Sequence, residues 1–203
     1  LSDISQTGGN PKVSTKIENI NVLNNEIKSS SVNCIITSPP YLNRNNYISQ
    51  QKAELDFLNL IPSQKDYKKL VKSTFKSHTD AKLPQESLSE IRDVQTIINS
   101  LQIEDGNNSK IPNMICGYFD DLKKTLKELY RIMKVKGKCA FVVGNTRWGG
   151  IVVPVDHLLL KIAEQIGFKV EKILITRLKG NSPQQMKKFG KIPVRESIVI
   201  FKK

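Results

Sequence analysis

The alternation of hydrophobic and polar residues predicts where the strands lie. "TKIENINVL" (15 to 23) alternates over a short span and predicts a half-buried strand. "VNCIITS" (32 to 38) and "KCAFVVGN" (138 to 145) are nearly continuous apolar runs, as in the middle of a parallel sheet that is covered on both faces. "KVEKILITRL" (169 to 178) and "RESIVIFKK" (195 to 203) predict two more strands. Their connection is too short for a crossover helix, so we expect this pair to be antiparallel.

Two amphipathic helices separate these strands. Residues 117 to 135 carry apolar side chains three and four positions apart, and Gly137 is expected to end that helix. The same spacing recurs from Val155 to Ile166, where Gly167 follows. Strands that alternate with helices predict an α/β fold with a mostly parallel sheet. At 203 residues, one domain is expected.

Residues 48 to 115 interrupt this alternation. They are polar and rich in lysine, as in "SQKDYKKLVKSTFKSH", and they contain the turn cluster "EDGNNSKIPN". Short helices are expected around 52 to 60, 64 to 77 and 87 to 101. The segment is therefore predicted to be a largely helical insertion between a strand and its following helix. An insertion of that length is expected to be functional or mobile, and this one is a candidate DNA-recognition segment.

The strand at 32 to 38 ends in the tetrapeptide Ser38-Pro39-Pro40-Tyr41. In open parallel sheets, ligands bind beyond the carboxyl ends of the strands. Two consecutive prolines fix the directions of the carbonyl groups and remove competing N–H donors. Such acceptors suit an exocyclic amine, whose two N–H bonds they can hold while its lone pair turns toward an electrophile. Tyr41 then offers an aromatic face on which an extruded base can stack. The alternative is a rigid turn with no chemical role.

"TSPPY" resembles the catalytic motif of the amino-methyltransferases, which methylate N4 of cytosine or N6 of adenine in DNA with S-adenosylmethionine. "DDLKKTLKELYRIMKVKGKCAFVVGNTRWGG" and "GFKVEKILITRLKGN…PVRESIVIF" resemble the elements that follow it, so 15 to 47 and 116 to 203 form the predicted catalytic portion. The resemblance implies a Rossmann-like class I methyltransferase sheet. Catalytic roles are implied for Ser38, Pro39, Pro40 and Tyr41. A Ser in the first position favours N4-cytosine over N6-adenine.

The family's cofactor motif, a strand followed by an FxGxG-like turn, does not occur in this sequence. Residues 1 to 14 lack an initiator Met and predict a cut or disordered end. We therefore expect only the back half of the methyltransferase sheet, with the cofactor half upstream or on a complementary subunit. Asn21 is a candidate contact for the cofactor's adenosine, or else a turn residue that ends its strand.

The charge balance favours a polyanion as partner. Thirty-two Lys and Arg residues against 19 acidic ones give a net charge of +13, which suits DNA, although a lysine-rich composition alone would also produce it. "GNTRWGG" (144 to 150) should border the motif, with Asn145 and Trp148 lining the base pocket. For Trp148, the alternative is packing under the sheet edge. The residues predicted to contact DNA are Arg44, Tyr47, Arg147, Trp148, Lys179, Lys187, Lys188 and Lys191.

The cysteine, histidine and hydropathy patterns bear on the compartment, on metal binding and on membrane spans. Three cysteines (Cys34, Cys116 and Cys139) lie in or beside apolar stretches, which predicts buried, reduced thiols in a cytoplasmic protein. Two histidines and no CxxC pair predict no metal site. No apolar run is long enough for a membrane span. The predicted function is site-specific DNA methylation in a restriction–modification system. The alternatives are an RNA amino-methyltransferase and a non-catalytic DNA-binding subunit.

Overall fold

The computed structural model describes residues 14–101, 109–180 and 183–203. Its strands are Val32–Thr37 (β1), Met133–Gly144 (β2), Thr146–Trp148 (β3), Ile151–Val153 (β4), Lys169–Lys179 (β5) and Val194–Lys202 (β6). Its helices are Tyr47–Gln50 (α1), Lys52–Phe57 (α2), Gln64–Ser73 (α3), Arg92–Ser100 (α4), Ile111–Ile132 (α5), Val155–Ile166 (α6) and Pro183–Phe189 (α7). A 3-10 turn spans Val22–Asn24. The α/β class is confirmed. The predicted end at 1 to 14 falls almost wholly outside the described residues.

The main sheet has four strands in the order β1-β2-β6-β5. β1 pairs with β2 in parallel, whereas β6 lies antiparallel between β2 and β5. The antiparallel pair is confirmed, but the sheet is mixed rather than mostly parallel in the described part of the chain. The reason is the position of β6. It lies between β2 and β5 and runs opposite to both, so both of its pairings are antiparallel.

The core lies between this sheet and helices α5 and α6. Phe119, Leu122 and Leu126 of α5 are fully buried, as are Phe141 of β2 and Leu159 of α6. The predicted apolar spacing is confirmed in both helices. α6 ends at Gly167, whose φ of 114° lies in the left-handed region that favours glycine.

Helix α5 does not end at Gly137, as its pattern predicted. It ends at Ile132, because Met133 has extended φ and ψ angles and is fully buried as the first residue of β2. Gly137 lies inside β2, where a Cβ atom would come 2.8 Å from the carbonyl oxygen of Lys134 and 3.1 Å from that of Asn33. The glycine therefore permits close backbone approach within the sheet.

The predicted strand at 15 to 23 is wrong. Residues 14 to 21 have no regular secondary structure, and the side chain of Ile17 is 94% exposed. Alternating residues form a strand only when another strand supplies backbone partners and a core covers one face. The residues that follow this segment are held on α5, where Asn25 and Ile27 accept hydrogen bonds from Arg131 at 3.5 and 2.9 Å.

The insertion packs against α5 through polar and aromatic contacts. Asp121 of α5 is buried and accepts hydrogen bonds from the backbone N–H and the ammonium group of Lys76. The rings of Phe75 and Tyr118 meet edge to face, 5.3 Å apart. The insertion holds four short helices, α1 to α4, where three were predicted, and residues 102–108 lie outside the described part.

β1 lies at the edge of the sheet. Cys34 was predicted to be buried, but it is exposed, and the side chain of Ile36 is 78% exposed. An edge strand lacks the neighbour that would cover these side chains. The other two thiols are buried as predicted, and burial raises the pKa of Cys116 to about 11 and that of Cys139 to about 12. Within the described residues, no helix is long and apolar enough to cross a membrane.

Candidate active site

The Ser38-Pro39-Pro40-Tyr41 turn begins directly after the last residue of β1. Thr37 is paired with Phe141, so the turn lies beside the end of β2. The Ser38 hydroxyl donates a 3.3 Å hydrogen bond to the carbonyl oxygen of Val142. Because β1 and β2 are parallel, the motif lies at the carboxyl edge, where ligands bind in such sheets.

A shallow cavity opens over this turn. Its volume is about 380 Å³, and its lining consists of Ser38, Pro39, Pro40, Tyr41 and Tyr47. Tyr47 begins α1 and remains 41% exposed. The tetrapeptide that was predicted to be catalytic and one of the predicted DNA contacts are thus brought together, with two aromatic rings bordering one space.

Tyr41 is held by charged residues from β5 and β6. Its hydroxyl donates a 3.0 Å hydrogen bond to the carboxylate of Glu196, which also accepts one from Arg177 at 3.0 Å. The ammonium nitrogen of Lys179 lies 4.6 Å from the centroid of the Tyr41 ring. Burial raises the pKa of Tyr41, and the Glu196 carboxylate adds to this effect. Arg177 holds the pKa of Glu196 below its usual range, so this carboxylate accepts hydrogen bonds at neutral pH.

Strand register explains why these groups meet. Glu196 is paired with Gly144 on β2 and with Arg177 on β5, so the three residues form a row across the sheet. Directly paired residues project from the same face. Gly144 has no side chain, and a Cβ atom there would lie 2.7 Å from the Lys179 ammonium nitrogen and 3.1 Å from Cδ2 of Tyr41. The tyrosine and the lysine therefore occupy the space that this glycine leaves.

Arg147 and Trp148 were predicted to contact DNA, but both are buried on β3. The Arg147 guanidinium donates hydrogen bonds of 3.0, 2.8 and 2.6 Å to the carbonyl oxygens of Gly150, Gly190 and Phe189. These bonds tie the β3–β4 hairpin to the end of α7. The indole N–H of Trp148 is buried and has no hydrogen-bond partner among the described residues. We propose that both residues support the loop rather than contact phosphate.

The remaining predicted DNA contacts lie on the surface. Arg44 is exposed and has a positive φ of 67°, and its N–H donates to the carbonyl oxygen of Ser77 at 3.0 Å. Lys187 and Lys188 lie in the last turn of α7, and Lys191 follows that helix; all three are exposed. Lys179, by contrast, is half-buried beside Tyr41.

Asn21 was a candidate contact for the cofactor. It is exposed, and its side-chain oxygen accepts a 2.9 Å hydrogen bond from the N–H of Leu23. This contact caps the 3-10 turn, which is the role of a turn residue that the sequence also allowed.

A buried polar network beside the site was not foreseen from the sequence. Asp156, at the start of α6, is fully buried and accepts hydrogen bonds from Arg195 at 2.7 Å and Ser197 at 2.8 Å. Its N–H donates to the side-chain oxygen of Asn145 at 3.1 Å. Asn145, which was predicted to line the base pocket, therefore joins the end of β2 to α6. The only local signal was an acidic residue in the first turn of a predicted helix.

Comparison with known proteins finds similarity to type II methyltransferases. No family model matches the sequence. The chain is 33% identical over 203 aligned positions to the type II methyltransferase M.BsoBI of Geobacillus stearothermophilus. It is 35% identical over 193 positions to the type II methyltransferase M.AvaI of Nostoc sp.. The chain is thus similar to part of these two type II methyltransferases.

The match to these methyltransferases covers 88% of this chain but only 40% of M.BsoBI and 39% of M.AvaI. Among solved structures, a Thermus thermophilus protein described provisionally as a DNA modification methylase aligns with a TM-score of 0.43 at 16% identity. That alignment covers 88% of this chain and 47% of the other. The chain thus spans well under half the length of the curated relatives it matches.

Proposed function

We propose that this chain forms the target-base half of a DNA amino-methyltransferase of a restriction–modification system. N4 of cytosine is favoured over N6 of adenine, because Ser stands first in the motif. The observation that carries the proposal is the SPPY turn at the carboxyl edge of β1, which lines one cavity together with Tyr47. Similarity to the type II methyltransferases M.BsoBI and M.AvaI supports the same reaction.

The roles of the residues follow from the motif's geometry. The carbonyl groups of Ser38 and Pro39 accept the two N–H bonds of the target amine, and Pro40 fixes their direction. Tyr41 stacks on the extruded base. S-adenosylmethionine supplies an electrophilic methyl group when it is bound. No strong base is needed at the amine, because its proton can leave after the methyl group has been transferred.

The described residues do not form a cradle for the methyl donor. Such a cradle needs glycines that let the backbone approach the ligand closely. Gly144, which ends β2, is already covered by Tyr41 and Lys179. We propose that a further strand pairs with the open edge of β1, beside Ile36, and brings the cofactor turn. That strand belongs either to a longer chain or to a complementary subunit.

The 203-residue chain alone is therefore expected to bind S-adenosylmethionine weakly or undetectably and to transfer no methyl group. Isothermal titration with S-adenosylmethionine measures this directly. Circular dichroism of the same sample, with the helical content of α5 and α6, serves as the control for folding. Micromolar binding at one site would mean that the donor site lies within this chain.

We propose that the insertion, residues 48–115, contacts the DNA backbone. Lys65, Lys68, Lys69 and Lys72 are exposed on α3, and Lys68 and Lys72 border a cavity of about 450 Å³ together with Asn46, next to Tyr47.

Each phosphate contact that a lysine makes contributes to the loss of affinity with salt. A variant with all four lysines changed to Gln should lower the slope of log affinity against log salt by about 2 to 4. A variant with Lys124, Lys127, Lys134 and Lys136 changed to Gln has the same charge and should keep a steeper slope. Equal slopes would contradict a specific role for α3.

The test of the function is mass spectrometry of nucleosides from cells with and without the intact gene. The expected result is N4-methylcytosine in DNA that depends on the gene. N6-methyladenine in DNA would change the target base only. Gene-dependent methylation found in RNA alone would favour the RNA enzyme. No modified nucleoside would favour a non-catalytic DNA-binding subunit, which the lack of a glycine-rich cofactor motif also allows.

A further inference from the structure

Tyr41 is fixed at its hydroxyl end and along its ring by residues outside the motif. Glu196 accepts the tyrosine hydroxyl at 3.0 Å, and its side chain is only 12% exposed. Arg177 anchors the same carboxylate oxygen at 3.0 Å. Arg177 on β5 therefore fixes the Glu196 carboxylate, and the same carboxylate oxygen binds the Tyr41 hydroxyl.

The opposite side of this arrangement is open. The cavity over the motif is lined by Tyr41 and Tyr47, whereas neither Glu196 nor Lys179 lines it among the described residues. Lys179 lies over the Tyr41 ring, 4.6 Å from its centroid, in the space beside Gly144. A cation over one face of the ring leaves only the other face for a stacked base.

We propose that Glu196 is a positioning residue for methyl transfer, which acts by fixing the Tyr41 hydroxyl while Lys179 covers one ring face. The tyrosine then forms a one-sided platform whose plane is set before the base arrives. Pre-organisation of this kind raises the rate because little motion is needed to reach the reactive geometry. The inference rests on the proposed methyltransferase function. It adds supporting roles for Glu196 of β6 and for Arg177 and Lys179 of β5.

The proposal makes a distinct prediction for a double-mutant cycle. Glu196→Gln removes the charge, and Tyr41→Phe removes the hydroxyl but keeps the ring. Each is expected to lower kcat about tenfold, because each weakens or removes the charge-assisted hydrogen bond that fixes the ring. If Glu196 acts through the hydroxyl, Glu196→Gln should lower kcat less than about twofold in the Tyr41→Phe background. Initial rates are measured with the methyltransferase purified from cells that carry the intact gene.

Glu171→Gln is the matched control. Glu171 lies on β5 and pairs with Lys138 at 3.0 Å, away from the motif, so its loss should leave kcat unchanged. Independent losses that multiply in the Glu196→Gln/Tyr41→Phe enzyme would overturn the proposal, since Glu196 would then act by another route. An unchanged kcat in Glu196→Gln would do the same.

A second measurement does not depend on methyl transfer. In the chain labelled with ¹³Cζ-tyrosine, the Tyr41 signal is the one that Tyr41→Phe removes. Its pKa is expected to fall in Glu196→Gln, because the carboxylate no longer disfavours the phenolate, and to stay unchanged in Glu171→Gln. An unchanged pKa of Tyr41 in Glu196→Gln would overturn the proposed contact between these two side chains. A wild-type enzyme without methyl transfer would instead contradict the proposed function, whatever this titration gives.

Discussion

Replacing Tyr41 with Ala is expected to lower kcat for DNA methylation about 100-fold. Stacking of a base on an aromatic side chain contributes about 1–3 kcal/mol, and each 1.4 kcal/mol changes a rate about tenfold. Removal of the ring also opens the space beside Gly144, so the Lys179 ammonium loses its aromatic partner. The measurement is the initial rate of methyl incorporation into DNA at saturating donor.

Tyr41→Trp is the informative control for this variant. It keeps a large aromatic face over the cavity and should recover a substantial part of the lost rate. Binding of S-adenosylmethionine by the whole enzyme should be nearly the same in both variants, because the donor site is proposed to lie on a strand beyond β1 rather than around Tyr41. A Tyr41→Ala enzyme with an undiminished rate would remove the stacking role, and the SPPY sequence would then be only a rigid turn.

Elements with strong local patterns could be predicted from the sequence. β1, α6 and the β5–β6 pair lie within about two residues of their predicted bounds, because apolar spacing and Gly167 define them locally. The segment at 15 to 23 shows the limit of such patterns. It alternates like a strand, but no strand within the described residues pairs with it, so Ile17 stays exposed.

The candidate site was predictable only in part for the same reason. Ser38 to Tyr41 are contiguous, and their chemistry follows from the two prolines. Glu196 lies 155 positions from Tyr41, and its role depends on its register with Gly144, which local pattern does not specify. The sequence also does not show whether a basic residue is buried or exposed. Arg147 binds three carbonyl groups in the interior, whereas Lys187 is exposed, although both appeared equally suited to bind phosphate.

The support beneath the site depends on a buried ion pair. Asp156 is fully buried, whereas the side chain of its partner Arg195 is 27% exposed. Burial alone would raise the pKa of Asp156, but hydrogen bonds from Arg195 and Ser197 hold it below its usual range. Because the folded state lowers this pKa, the charged carboxylate stabilises the fold above about pH 4, near the unfolded pKa. That stabilisation is lost as the pH falls through the lower pKa of the folded state.

Asp156→Ala is therefore expected to lower the free energy of unfolding by about 2–4 kcal/mol at pH 7, since it leaves a partly buried guanidinium group and the buried Ser197 hydroxyl without their acceptor. Urea unfolding measures this, with the slope of the unfolding free energy against urea concentration checked for constancy.

Asp93→Ala is the matched control. Asp93 also lies in the first turn of a helix, but its ion pair with Lys161 is about half exposed, at 46% and 56%, so the expected loss is within about 1 kcal/mol. The excess cost of Asp156→Ala should shrink as the pH is lowered from 7 toward 3. Equal losses for the two variants, or a difference that does not depend on pH, would mean that the Asp156 network contributes no more than a surface ion pair.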